Sequence, residues 1–169
     1  MLDIDGFIST VAHGGMRSNL FMVTVNSPYG DKEDFSFKCK AATIPQKNTG
    51  VISIPYMGRD YKVPGDTTFD AWNTTVFADE QLLVRKTFED WMDAINNAES
   101  NKSVNSNAFT HMVNGTITTY SRDGSVANVY EIRGMFPSTI GEISLDWSTK
   151  DTVAEFPVTF NYQYYTRIQ

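Results

Sequence analysis

The sequence predicts a mainly β fold with one flanking α-helix, an antiparallel β-sandwich or barrel. Three observations predict it. Short runs rich in Thr, Val and aromatic residues alternate polar with apolar positions, turn signals separate those runs, and one stretch has helical period. That stretch lies in PGDTTFDAWNTTVFADEQLLVRKTFEDWMDAINN, Pro64 to Asn97. A strand is expected over Thr67 to Phe77. Asp79 then stands where an N-cap belongs, with Glu80 in the first turn, where the helix dipole favours negative charge. Val84, Phe88, Trp91 and Ile95 recur at spacings of four, three and four, so a helix over 79–97 is expected to clamp them onto the sheet. Arg85, Lys86, Glu89, Asp90 and Asp93 fall largely on its other faces.

The first seventeen residues read as an N-terminal arm ending at Gly14-Gly15. Asn19 to Asn26 is a strand, and the turn Ser27 to Asp31 separates it from a second strand, Asp34 to Ala41, with Phe35, Phe37 and Cys39 alternating; the two are expected to pair as a hairpin. Residues 43–66 differ in texture. Apolar Val51 to Ile54 and the run Arg59 to Val63 are bounded by Pro45, Pro55 and Pro64 and joined through Tyr56-Met57-Gly58. Proline belongs at sheet margins, so this segment is expected to project as a hairpin. Projection would expose Ile52, Ile54, Tyr56 and Met57, which is costly unless a partner covers them.

After the helix, the polar stretch Asn97 to Phe109 reads as a surface loop. His111 to Ser121 and Val126 to Met135 flank Arg122-Asp123-Gly124-Ser125, the clearest hairpin signal in the chain. Pro137 to Gly141 reads as a turn, Glu142 to Trp147 as a short strand, and Val153 to Arg167 as one long terminal strand carrying Phe156, Val158, Phe160, Tyr162 and Tyr164 on one side. At 169 residues without an internal repeat, a single domain over 1–169 is expected.

Composition narrows the function. With 41% hydrophobic and 20% charged residues, the chain can bury a core. A net charge of −6 argues against a protein that grips nucleic-acid phosphates, though not against a surface past which DNA must slide. Cys39 cannot form an internal disulfide, and on a strand Lys38 and Lys40 would point away from it, so it reads as a small buried hydrophobe. The N-terminus lacks the pattern of a signal peptide, no apolar run approaches the length of a membrane helix, and without a secretion route the N-x-[ST] triplets carry no meaning.

No constellation points to catalysis or to a cofactor. His13 and His111 have no partner at metal-ligand spacing, and His111 reads as an ordinary surface or half-buried imidazole opening a strand. Glu89-Asp90 and Asp79-Glu80 are helix neighbours that point apart, and neither a phosphate-binding glycine loop nor a G-x-S-x-G elbow is present. What remains is interaction surface. Sheet edges invite pairing with another chain, and a ring closes if each edge pairs with a neighbour. A sticky hairpin that contacts the next ring gives an open stack.

Several passages carry a family resemblance: FKCKAATIPQ (Phe37 to Gln46), PYMGRDYKVPGDTTFDAWNTTVFADE (Pro55 to Glu80), RKTFEDW (Arg85 to Trp91), EIRGMFPSTIGEISLDW (Glu131 to Trp147) and EFPVTFNY (Glu155 to Tyr162). Together the sequence resembles the tail tube proteins of contractile-tailed bacteriophages, related in fold to type VI secretion and bacteriocin tubes. The resemblance implies hexameric rings whose sheets join into one continuous barrel. Those rings stack into a rigid inner tube within a contractile sheath, with baseplate and tail-terminator proteins at its ends. Tape-measure protein and DNA pass through the lumen without specific binding, and the site is the virion tail, assembled in the host cytoplasm. The matching hairpin segment, Ile44 to Lys62, is implied to reach the adjacent ring, which makes Ile52, Ile54, Pro55, Tyr56, Met57 and Arg59 the expected inter-ring contacts. Arg85, Glu89 and Asp93 are the expected contacts with a neighbour or the sheath. The competing readings are a tube of a phage-derived contractile injection system, a tube-initiating baseplate protein and, from a different class, a small-ligand-binding β-barrel; the last predicts convergent polar groups in an apolar cavity.

Overall fold

The computed structural model describes residues 4, 8, 15–29, 35, 36 and 38–169. Most of the expected N-terminal arm, with His13, lies outside them, as does Phe37. Nine strands are described: β1 Phe21–Val25, β2 Cys39–Ala42, β3 Lys47–Tyr56, β4 Arg59–Phe69, β5 Trp72–Phe77, β6 Val113–Tyr120, β7 Val126–Ile140, β8 Glu155–Asn161 and β9 Tyr164–Arg167. The helix α1 spans Leu83–Ile95. Seven strands form one antiparallel sheet, ordered β1-β6-β7-β8-β5-β2 with β9 also on β7, while β3 and β4 pair only with each other.

The strand β7 organises the sheet. Its residues 126–135 pair with β6, and along the opposite margin Arg133 faces Tyr164 of β9 while Phe136 faces Asn161 of β8. The terminal segment thus follows β7 throughout, broken only at Tyr162-Gln163. The break lies beside Gly134, whose φ is +63°, and a Cβ there would sit 2.8 Å from Gln163 Cγ. Glycine permits the chain to bend at this corner with the neighbouring strand pressed against it. No strand pairing joins β1 to β2 among the described residues, so hydrogen bonds do not close the sheet into a barrel.

The core lies between the sheet and α1. Val84, Phe88, Trp91 and Ala94 are buried on the helix, and Ile95 is partly buried beside them. Phe88 meets Phe160 edge-on at 5.7 Å and Phe35 at 5.5 Å, an arrangement that ring quadrupoles favour. The Trp91 Nε1–H donates to the His111 carbonyl at 2.9 Å, so the buried indole leaves no donor unpaired.

Several local expectations are corrected. Phe35, Ser36 and Lys38 are helical, and the second strand is only Cys39–Ala42. Phe35 and Cys39, four apart, satisfy helical period as well as alternation, and so short a run cannot separate the two. The first two strands do not form a hairpin: β1 pairs with β6 and β2 with β5. The helix begins at Leu83, four residues after Asp79, with no acidic residue in its first turn. Asp79 still holds the approach to it, because its carbonyl accepts from the Leu82 N–H at 2.9 Å and its Oδ2 from the Leu83 N–H at 3.1 Å. Burial works to raise its carboxyl pKa, but the Leu83 N–H and Lys38, 3.5 Å away, outweigh it and hold the group below the usual range.

The strand expected over Thr67 to Phe77 divides at Asp70-Ala71, where the chain leaves the hairpin for the sheet. Residues 137–141 do not turn; β7 runs through to Ile140. Pro137 is tolerated at a register shift, on a segment that pairs only with β8. Glu142 to Trp147 is loop, not strand. Tyr164 is 43% exposed, whereas Phe156, Val158, Phe160 and Tyr162 are buried. His111 is buried in a 3-10 turn, Ala108–His111, with its Nε2 3.4 Å from both Ser103 Oγ and the Asn105 carbonyl. Cys39 has its thiol pushed up to about 12 by burial, so it stays protonated at neutral pH and is a poor nucleophile.

Candidate assembly site

The hairpin β3-β4 is longer than its sequence suggested, with pairing from Lys47↔Phe69 to Tyr56↔Arg59. Ten residues of strand reach about 30 Å. At its tip Met57 has φ +47° and Gly58 φ +80°, the two positive values of a tight hairpin turn whose twist matches its strands. Gly58 meets that demand without strain, but Met57 does not, since Asn or Asp is the favoured partner there. Met57 is nonetheless 87% exposed, and Val51, Ile52, Ile54, Tyr56, Tyr61 and Val63 are all exposed behind it. Ile52, Ile54, Tyr56, Tyr61 and Val63 share one face of this two-stranded sheet, which therefore carries apolar side chains to solvent, against solubility, while the tip runs against local turn chemistry.

The root, by contrast, is tightly held. The Trp72 Nε1–H donates to the Thr43 carbonyl at 2.6 Å, tying the chain before β3 to the start of β5, and the Trp72 ring lies 5.4 Å from Phe160. Phe69 packs against Tyr162 at 6.0 Å and Tyr165 at 5.7 Å. Asn48 Nδ2–H donates to Asp70 Oδ2 at 2.6 Å, and the Tyr162 hydroxyl donates to the Gln46 carbonyl at 3.4 Å. Phe69, Asp70 and Trp72 lie in the segment Val63 to Trp72, which the sequence already marks as the return of the hairpin to the sheet; Tyr162 and Tyr165 were missed as functional. Their signal was available: an aromatic at each point where the strand re-enters the alternating pattern.

Among the expected contact residues, Ile52, Ile54, Pro55, Tyr56, Met57 and Arg59 share the outer part of this hairpin and are exposed. On the helix, Glu89 and Asp93 are exposed, but Arg85 leaves that face. Its guanidinium lies 5.5 Å from the Phe156 ring, its Nη1–H donates to the Gly141 carbonyl at 2.8 Å, and its Nε–H to Glu89 at 2.8 Å. Arg85 braces the helix against the sheet and is not a free contact. A cavity of about 310 Å³ under the 97–109 loop is lined by Ile95, Ser103, Asn105, His111, Met112 and Phe136. Among the described residues no group of three His, Cys, Asp or Glu is placed to hold a metal ion, and no helix is long and apolar enough to cross a membrane.

Residues 9–168 match the family described as phage tail tube protein. The chain belongs to the phage tail tube protein family. It is 33% identical over 150 residues to the tail tube protein gp19 of Enterobacteria phage T4, covering 88% of this chain and 90% of that one. It is 23% identical over 169 residues to the tail tube protein of Serratia phage KSP90, covering 96% and 95%. Its fold is similar to a chain in the extended-state sheath/tube terminator of the extracellular contractile injection system PVC, with a TM-score of 0.68 and 15% identity over 92% of this chain and 97% of that one. A tail tube protein of a contractile phage is a structural component of the virion, not an enzyme. The exposed hairpin is therefore a place to look for contacts between subunits.

Proposed function

We propose that this tail tube subunit forms hexameric rings by edge-to-edge strand pairing, and that the rings stack through the β3-β4 hairpin into a rigid conduit for genome ejection. The observation that carries the reading is the hairpin, a rooted arm about 30 Å long that holds Ile52, Ile54, Tyr56, Tyr61 and Val63 exposed on one face. In an isolated subunit that surface is a liability; between stacked rings it is covered. The outer margins of β1 and β2, which pair with no strand among the described residues, support the ring, because each presents backbone donors and acceptors to a neighbour. Within such a ring the sheets would join into one continuous barrel, around which the net charge of −6 favours passage of a polyanion over its capture. Glu89 and Asp93, exposed on α1, are the proposed contacts with a sheath. Terminator and baseplate proteins would cap the tube, and tape-measure protein and DNA would pass through it.

Electron microscopy of the purified protein tests this. Rings and tubes are expected from the wild type, and the triple change Ile54→Ser, Tyr56→Ser, Met57→Ser should leave rings but no tubes. Monomeric particles alone at high concentration would rule out self-assembly, and normal tubes from the triple variant would remove the hairpin from the axial contact.

A further inference from the structure

The loop 141–154 carries a further apolar surface, apart from the hairpin. Leu145 is 87% exposed, Val153 61%, and Trp147 has no cover at all at 102%. Beside them lies an open cleft of about 460 Å³, with Leu145 and Val153 on its wall and the ion pair of Lys40 with Glu155 alongside. An indole fully in water is expensive to keep and is a frequent anchor where proteins meet.

Register places this loop relative to the hairpin. In the β5–β8 pair, Trp72 faces Phe160 at one end and Phe77 faces Glu155 at the other. The hairpin root adjoins the Trp72 end. Loop 141–154 joins Ile140 of β7 to Glu155 of β8 and so closes the Phe77 end, about 17 Å away along the strands. The two apolar surfaces therefore lie at opposite ends of one sheet. Their charges are also opposite. From Gly141 to Glu155 there are four acids, Glu142, Asp146, Asp151 and Glu155, against Lys150 alone, whereas the hairpin tip from Pro55 to Val63 carries Arg59 and Lys62 against Asp60.

We propose that the cleft beside Leu145, Trp147 and Val153 is the socket for the hairpin tip of a second copy of this chain in the next ring. This rests on the reading that rings stack through the hairpin. Met57 and Tyr56 enter beside Trp147, while Arg59 and Lys62 meet Asp146 and Asp151. Because knob and socket are different patches at opposite ends, the contact is head-to-tail and does not close on itself, which gives a stack of indefinite length. It also gives the tube a polarity, with hairpins at one end and empty sockets at the other.

The test uses full-length protein with Met57→Cys and Leu145→Cys together, compared with each change alone, under mild oxidation. Tubes of the double variant are expected to yield a ladder of disulfide-linked dimers and longer multimers on denaturing gels, absent from either single variant. Leu145→Ser with Trp147→Ser is expected to leave rings intact and raise the protein concentration needed for tubes by tenfold or more. If the double variant forms tubes without a ladder, and the serine variant forms tubes at the wild-type concentration, the socket assignment is overturned while stacking through the hairpin stands. If the wild type forms no tubes, the stacking reading itself falls and this inference with it.

Discussion

Trp91 and Met57 are both large apolar side chains, and the fold treats them oppositely. Trp91 is fully buried with its one polar atom donating to the His111 carbonyl, whereas Met57 is 87% exposed on a strained turn position. The first was legible in the sequence, because Val84, Phe88 and Trp91 share a helical face. Ala94, also buried on that face, was not, since alanine adds little to a periodic pattern. Arg85 was read as outward because it is charged; its long side chain instead lies along Phe156 and reaches the Gly141 carbonyl, which only tertiary structure reveals. Trp91→Ala should destabilise the subunit by about 3–5 kcal/mol. Trp91→Phe should cost about 1–3 kcal/mol, the penalty of leaving the His111 carbonyl without its buried donor. Denaturant unfolding of the isolated subunit measures both, and an unchanged midpoint in the alanine variant would contradict the clamped helix.

Among the elements, the β6-β7 hairpin was legible because Asp-Gly chemistry is local, and α1 because its period spans three turns. The helix start was displaced because Leu82, at φ +51°, begins α1 in a conformation no sequence rule assigns to leucine. The partners of β1 and β2 were misread because pairing between strands distant in sequence leaves no local signal. The projecting hairpin was recognised from its prolines, but its length was underestimated, since Lys47-Asn48 and Thr67-Thr68 pair without a strong apolar pattern. This element separates turn chemistry from function. Met57→Asn suits the turn better and should leave thermal unfolding unchanged or shifted upward. It also removes an apolar contact of about 1.5–3 kcal/mol if the tip is covered in the assembly, so tube formation should weaken by about tenfold or more. Assembly as efficient as in the wild type would show that the tip meets no partner.

At the scale of the whole molecule, one bent sheet carries a helix on one face, two margins that pair with no strand among the described residues, and apolar surfaces at opposite ends. Margins can pair laterally and ends can stack axially, so the same subunit can extend in two directions through unrelated contacts. The margins could be anticipated from the sequence as a consequence of any open sheet. The opposition of the two ends could not, because it depends on the register of β5 against β8. The most direct measurement is a cryo-electron microscopy reconstruction of tubes assembled from the purified protein. The account predicts that residues 47–69 of each subunit cross into the adjacent ring, with Tyr56 and Met57 buried there. A tube in which each hairpin stays within its own ring, its tip open to solvent, would contradict it.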